Sequence, residues 1–123
     1  MRIYESKWFH RFARRSGIPD SALRAAVARA ERGQIDADLG GGVIEQRIAR
    51  PGEGRSAGYR TILFFRRGAV AFFVYGFAKH RRPNIVEAEL EQFKQAAHHV
   101  LALSPRQLEE LLARGDFLEV DPE

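Results

Sequence analysis

Cysteine is absent from the 123 residues, so disulfides and thiolate metal sites are excluded, and a reducing cytoplasm is the expected location. Long apolar runs are missing as well. The longest, Ala69 to Phe77, falls far short of the roughly 20 residues a membrane-crossing helix needs, so no membrane partner is expected. No apolar stretch of the secretory kind follows Met1-Arg2-Ile3-Tyr4-Glu5. Lysine is scarce: 17 of the 20 cations are arginine. Its planar fork suits bidentate phosphate contact, although an arginine-rich genome composition explains the bias equally well. Repeats and linkers do not occur, and the length suits one compact domain. With 45% hydrophobic and 29% charged residues, wholesale disorder is excluded.

What is present is a sharp charge polarity. Residues 1–82 carry 17 basic against 7 acidic side chains, whereas residues 83–123 carry 3 against 9. Within 45–82 alone the count is 9 to 2. A basic middle of this kind points to an anionic partner, nucleic acid first.

Three segments read as helices from their spacing and caps. Lys7 to Arg15 groups Trp8, Phe9 and Phe12 on one face, with Ser6 as N-cap and Gly17 as terminator. Asp20 caps a second helix bearing Leu23, Ala26, Val27 and Ala30 and ending at Gly33, so the pair reads as a helical hairpin joined through Ile18-Pro19. Ser104-Pro105-Arg106-Gln107 opens a helix using Leu108, Leu111 and Leu112 and closing at Gly115. A fourth begins after Asn84, read with Glu87 as a capping box, with Val86, Leu90, Phe93 and Ala97 as its apolar stripe. Glu87, Glu89 and Glu91 then offset its macrodipole, or orient the basic region or a partner.

Between the helices the period changes to two. Val43 to Arg50 alternates, Ile44 and Ile48 against Glu45 and Arg47, as a half-buried strand. Tyr59 to Arg67 is a second strand, and a turn at Arg67-Gly68 leads into Ala69 to Phe77. That third strand is apolar on both faces, Val70, Phe72 and Val74 against Ala71, Phe73 and Tyr75, so it belongs in the sheet interior. The expectation is an α+β fold: an N-terminal helical hairpin, a small antiparallel sheet of three or more strands, and C-terminal helices.

Among chemistry-bearing patterns, the loop Gly52-Glu53-Gly54-Arg55-Ser56-Ala57-Gly58 opens a strand and lacks a Gly-Lys-Ser/Thr ending, so it is a hairpin loop before it is a phosphate cradle. His98 and His99 are adjacent and point about 100° apart on a helix, so they do not converge on one metal ion. No HExxH, EF-hand or serine-nucleophile pattern occurs, and neither metal nor other cofactor is expected. The informative set is Arg47, Arg50, Arg55, Arg60, Lys79, His80, Arg81 and Arg82. Antiparallel order brings Arg50, Arg60 and the residues after Phe77 to one end of the sheet. By composition alone, a solvated basic rim is the competing, less favoured reading of that cluster.

The run Ala37 to Gly42, the stretch Arg47-Ile48-Ala49-Arg50 through Gly58-Tyr59-Arg60-Thr61, and Phe72 to Lys79 with Arg82 and Asn84-Ile85 together resemble the RelE/HigB toxins of bacterial type II toxin–antitoxin systems. The resemblance covers roughly residues 3–103, and it makes 1–123 a single RelE-like domain with 104–123 a C-terminal helical extension. It implies a metal-independent mRNA endonuclease that works on the translating ribosome, inhibits translation, and is held inactive by a cognate antitoxin, a helix-turn-helix protein through which alone operator DNA would be met. Relatives drive the ribose 2′-hydroxyl onto the adjacent phosphate, which requires a proton acceptor, a proton donor and cations for the developing charge. The resemblance gives Arg60, the arginine of Gly-Tyr-Arg, to the phosphoryl group. Lys79 and His80 become the two candidates for proton transfer, and Arg82 joins them in the catalytic set. Arg47, Arg50, Arg55 and Arg81 are left as RNA or phosphate contacts. Where the best-known relatives carry a tyrosine at the start of the following helix, Val86 or its neighbours stand here. The alternative is a non-catalytic, ParE-like toxin acting on DNA gyrase, or a simple nucleic-acid-binding module.

Overall fold

Strands that are apolar on both faces need cover on both sides, and the fold supplies it. The structure, a computed structural model, describes residues 1–50, 58–82 and 84–122. The order is β1 (Arg2–Ser6), α1 (Lys7–Ser16), α2 (Asp20–Glu31), β2 (Ala37–Gly40), β3 (Val43–Ile48), β4 (Tyr59–Arg66), β5 (Val70–Ala78), α3 (Glu87–Leu101), α4 (Pro105–Arg114) and β6 (Phe117–Glu119). The six strands form one mixed sheet in the order β2-β3-β4-β5-β1-β6, with β1 parallel to β5 and the other neighbours antiparallel. Helices α1 and α2 bury Phe9, Phe12, Leu23 and Val27 against one face. On the other face α3 and α4 pack Leu90, Phe93, Leu108 and Leu112.

Two parts of the expected architecture are corrected. The chain opens on a strand, so an N-terminal helical hairpin is not what begins the fold, and the sheet is six-stranded and mixed rather than small and antiparallel. Similarly, the stretch from 104 onward holds α4 and then β6, which returns to pair with β1.

The caps explain the helix ends. Ser6 Oγ accepts from Phe9 N at 3.1 Å, and Ser104 and Gln107 bond each other reciprocally at 3.1 and 2.9 Å, as their spacing predicts. Asp20, expected as a cap, is instead the first residue of α2, after Pro19. Asn84 bonds Ile85 N at 2.9 Å; the carboxylate of Glu89, not Glu87, takes the Val86 N–H at 2.9 Å.

Inside the sheet two details re-aim side chains. Because Ile62 pairs with Tyr75 while Leu63 pairs with Phe73, Val74 is an extra residue in β5. Such a bulge inverts the alternation beyond it, so Tyr75 lies on the α3 face with Ile62, not with Ala71 and Phe73 as strict alternation predicts. On β3 the Glu45 side was expected to meet solvent, but α3 packs over β3 and β4, and Glu45 is only 4% exposed. Two glycines permit close approaches. A Cβ on Gly76 would stand 2.5 Å from the Phe12 ring, and one on Gly58 would stand 2.2 Å from the Ile48 carbonyl oxygen.

Candidate functional site

Strand register sets the site. Arg47 lies opposite Arg60, and Arg60 opposite Phe77, at the roughly 5 Å spacing of neighbouring strands. Arg47 comes two residues after Glu45, Arg60 two before Ile62 and Phe77 two after Tyr75, so all three share the α3 face. Arg82 completes the row from beyond the strand end. Its guanidinium carbon sits 5.3 Å from the Phe77 ring centroid, and its Nη1 donates to the Tyr75 hydroxyl at 3.2 Å and to Glu89 Oε2 at 3.1 Å. The bond to Glu89 raises the pKa of Arg82, and the same bond, helped by the Val86 N–H, lowers that of Glu89.

Cations placed opposite each other on neighbouring strands repel, and Glu45 offsets this. Its Oε2 lies 3.7 Å from Arg60 Nη1. Burial pushes the Glu45 carboxyl upward, while Arg60 and then Arg47 pull it back. The pair is nonetheless incomplete, because Nε of Arg47 and Nε of Arg60 are both buried with no hydrogen-bond partner among the described residues. Buried donors of this kind demand an explanation. An anion laid along the row would supply one.

A second group of the expected residues lines a cleft of about 620 Å³. Strand β1 accompanies β5 only as far as Phe73, and the cleft opens where β5 continues without it. Trp8, Phe12 and Arg15 of α1 form one wall; Tyr75, Phe77 and His80 to Arg82 contribute the other. Arg50 reaches it from the end of β3, with its guanidinium 5.7 Å from the Tyr59 centroid and its Nη1 3.3 Å from His80 Nδ1. A guanidinium has no acceptor, so in this contact Arg50 donates and Nδ1 accepts.

Of the expected site residues, Arg47, Arg60 and Arg82 therefore share the row, while Arg50, His80 and Arg81 gather in the cleft that Arg82 also lines. Lys79 is exposed, and its backbone N–H donates to Gly58 O at 3.2 Å; its side chain does not line the cleft. Arg55 and the loop 51–57 lie outside the described residues. Among the described residues, no group of three or more His, Cys, Asp or Glu could hold a metal ion, and no helix is long and apolar enough to cross a membrane.

Sequence reasoning missed four members. Glu45 was read as a solvent-facing strand residue and Glu89 as a helix-end charge. Trp8 was assigned to the core face of its helix, yet it is 39% exposed. Arg15 was not singled out, although the spacing of 8, 12 and 15 already aligns it with Trp8 and Phe12.

Comparison with known proteins bears directly on this arrangement. The model of the family described as the RelE toxin of the RelE/RelB toxin–antitoxin system matches residues 1–120. No curated protein and no solved structure matches the chain. With nearly its whole length matched, the chain belongs to the RelE toxin family, whose members act opposite a cognate antitoxin.

Proposed function

We propose that the protein is the toxin of a type II pair and a metal-independent mRNA endonuclease that arrests translation on the ribosome. The observation that carries this is the pair of buried Nε donors on adjacent Arg47 and Arg60 that have no hydrogen-bond partner among the described residues, continued by Arg82 beside Phe77. Three arginines in a row suit a phosphodiester, because each fork presents several donors to phosphoryl oxygens and keeps its charge throughout. In the reaction the ribose 2′-oxygen forms a bond to phosphorus as the bond to the 5′-oxygen breaks, leaving a 2′,3′-cyclic phosphate and a 5′-hydroxyl. One proton leaves the 2′-hydroxyl and one joins the 5′-oxygen. Negative charge grows on the non-bridging oxygens, where fixed guanidiniums are worth most.

Arginine does not titrate usefully, so proton transfer falls to His80 or Lys79. The Arg50 contact leaves His80 Nε2 as the nitrogen that exchanges a proton with substrate, and Lys79 is the second candidate. Arg50, Arg55 and Arg81 serve the RNA backbone or ribosomal RNA. One domain performs all of this, with the segment from 104 as an extension that packs α4 on the sheet and adds β6 to its edge. The antitoxin is read as a helix-turn-helix protein that carries the complex to operator DNA, all within the cytoplasm.

The test is induction in cells with mapping of mRNA 5′ ends, comparing the natural chain with Arg60→Ala and His80→Ala after confirming that each is folded. Growth arrest with new mRNA ends, lost in both variants, is the expected result. A folded natural chain that produces neither would refute the reading. Toxicity with gyrase-dependent DNA breaks that survives both substitutions would instead assign the chain to a ParE-like action.

A further inference from the structure

The exposed indole of Trp8 has no role in the arginine row. On α1, positions 8, 12 and 15 fall on one stripe, so Trp8, Phe12 and Arg15 face the cleft together. The Trp8 ring stacks on Phe12 with centroids 5.5 Å apart and planes 9° apart, and on Tyr75 at 4.8 Å and 25°. Tyr75 continues the series to Phe93 and Phe77. A core function would have enclosed the indole as it encloses Phe9, which is 0% exposed, yet Trp8 keeps 39% of its surface open. Four arginines line the same cleft, Arg15, Arg50, Arg81 and Arg82, and none of its described lining residues is acidic.

An exposed aromatic stack bordered by cations is how proteins hold single-stranded nucleic acid: bases lie on the rings and the backbone follows the charge. The cleft volume of about 620 Å³ is within the range of about 300–1,000 Å³ usual for ligand sites. We propose that Trp8 and Tyr75 form a stacking platform for an unpaired nucleobase of the RNA, with Arg15 and Arg81 holding its flanking phosphates. This deepens the RNA-cutting reading and rests on it for the choice of RNA. It makes the cleft a substrate-positioning subsite beside the arginine row. A duplex, whose base faces are already covered, would find charge there but no stacking partner.

Trp8 is the sole tryptophan, so intrinsic fluorescence reports this one position. The probe is a 2′-O-methyl RNA hexanucleotide, which cannot be cut because its 2′-oxygen is blocked, with an end label for anisotropy. Saturable quenching of Trp8 emission is expected, with the same midpoint as the anisotropy change. Trp8→Ala should weaken binding about 5- to 150-fold, the span of a lost base–aromatic stack, and Trp8→Phe should recover part of it. The same strand in a duplex should leave the emission unchanged. Anisotropy binding without quenching, equal quenching by the duplex, or no binding at low salt would each overturn the platform. So would quenching by polyglutamate but not by RNA, which would mark a protein-docking surface. These outcomes are separate from mRNA cutting: a failed platform with mapped ends intact leaves the endonuclease standing, and quenching without mapped ends refutes the endonuclease alone.

Discussion

Replacing Arg60 with methionine tests how the arginine row is held together. Glu45 is 4% exposed and faces the guanidinium at 3.7 Å. At an effective dielectric of about 20 that separation corresponds to about 4 kcal/mol of attraction. Removing one partner of a buried pair strands the other, typically at about 3–5 kcal/mol, which is a large share of the roughly 5–15 kcal/mol that holds an ordinary domain together. Arg47 also attracts Glu45, so the lower part of that range is expected. The carboxyl decides the sign with pH. Burial already raises its pKa above the ordinary 4.5, and Arg60→Met removes the larger opposing pull, raising it further. The folded variant then holds a proton that the unfolded chain has released, so its deficit is full near neutral pH and shrinks as pH falls through the folded pKa. Urea midpoints for the natural chain, Arg60→Met, Glu45→Gln and the double variant would be compared near neutral pH and near pH 4.5. The double variant should recover most of the lost stability while remaining unable to cut mRNA. An equal deficit at both pH values, together with no rescue by Glu45→Gln, would refute the reasoning.

Gly58→Ala should cost about 1–3 kcal/mol as an overpacked contact, since its Cβ would meet the Ile48 carbonyl at 2.2 Å. The same shift would move the start of β4, and an unchanged urea midpoint would count against the close approach. Gln46, 0% exposed, donates to Ala26 O and Gln34 O and accepts from Asp36 N. Gln46→Leu should lower the melting temperature by the equivalent of at least about 1–3 kcal/mol, the cost of an unpaired buried polar group; no change would mean water replaces it. Glu5 has its pKa raised by burial, against the opposing hydrogen bond to His10. Its folded form therefore favours the proton, and its contribution to stability falls as pH rises from the ordinary 4.5 through the raised value. Glu5→Gln should flatten that part of the stability profile, measured as urea midpoints against pH, and parallel profiles would contradict the assignment.

The elements that could be read from sequence were those whose signals are local. Ser6 with Gly17 framed α1, Ser104 with Gln107 and Gly115 framed α4, and the two-residue period located β3, β4 and β5. Strand β1 escaped for four reasons. It is five residues long, Ser6 serves it and the α1 cap at once, and Glu5 points into the core against the usual polar-outward pattern. Its pairing with β5 and β6 is also distant in sequence. At the site, turn logic correctly gathered the cations at one end of the sheet. Which face each would take depended on a bulge at Val74 and on α3 covering the Glu45 side, neither of which leaves a local trace. Arg50 and His80 lie beyond their strand ends, where alternation no longer assigns a face.

The position of β1 bears on the order in which the molecule can assemble. Arg2 has to wait for Val70, and Tyr4 for Glu119, so β1 is enclosed by two strands that follow it much later in the chain. Long-range pairings of this kind slow folding, because the intervening loop must be closed before any contact rewards it. As the chain leaves the ribosome, Arg47 and Arg60 can meet once β4 is complete, but the cleft wall needs β5 and the turn that carries His80 to Arg82. The surface proposed to meet RNA is thus incomplete until Arg82 has emerged, and a chain cut short before that point would carry most of the toxin's charges without its site.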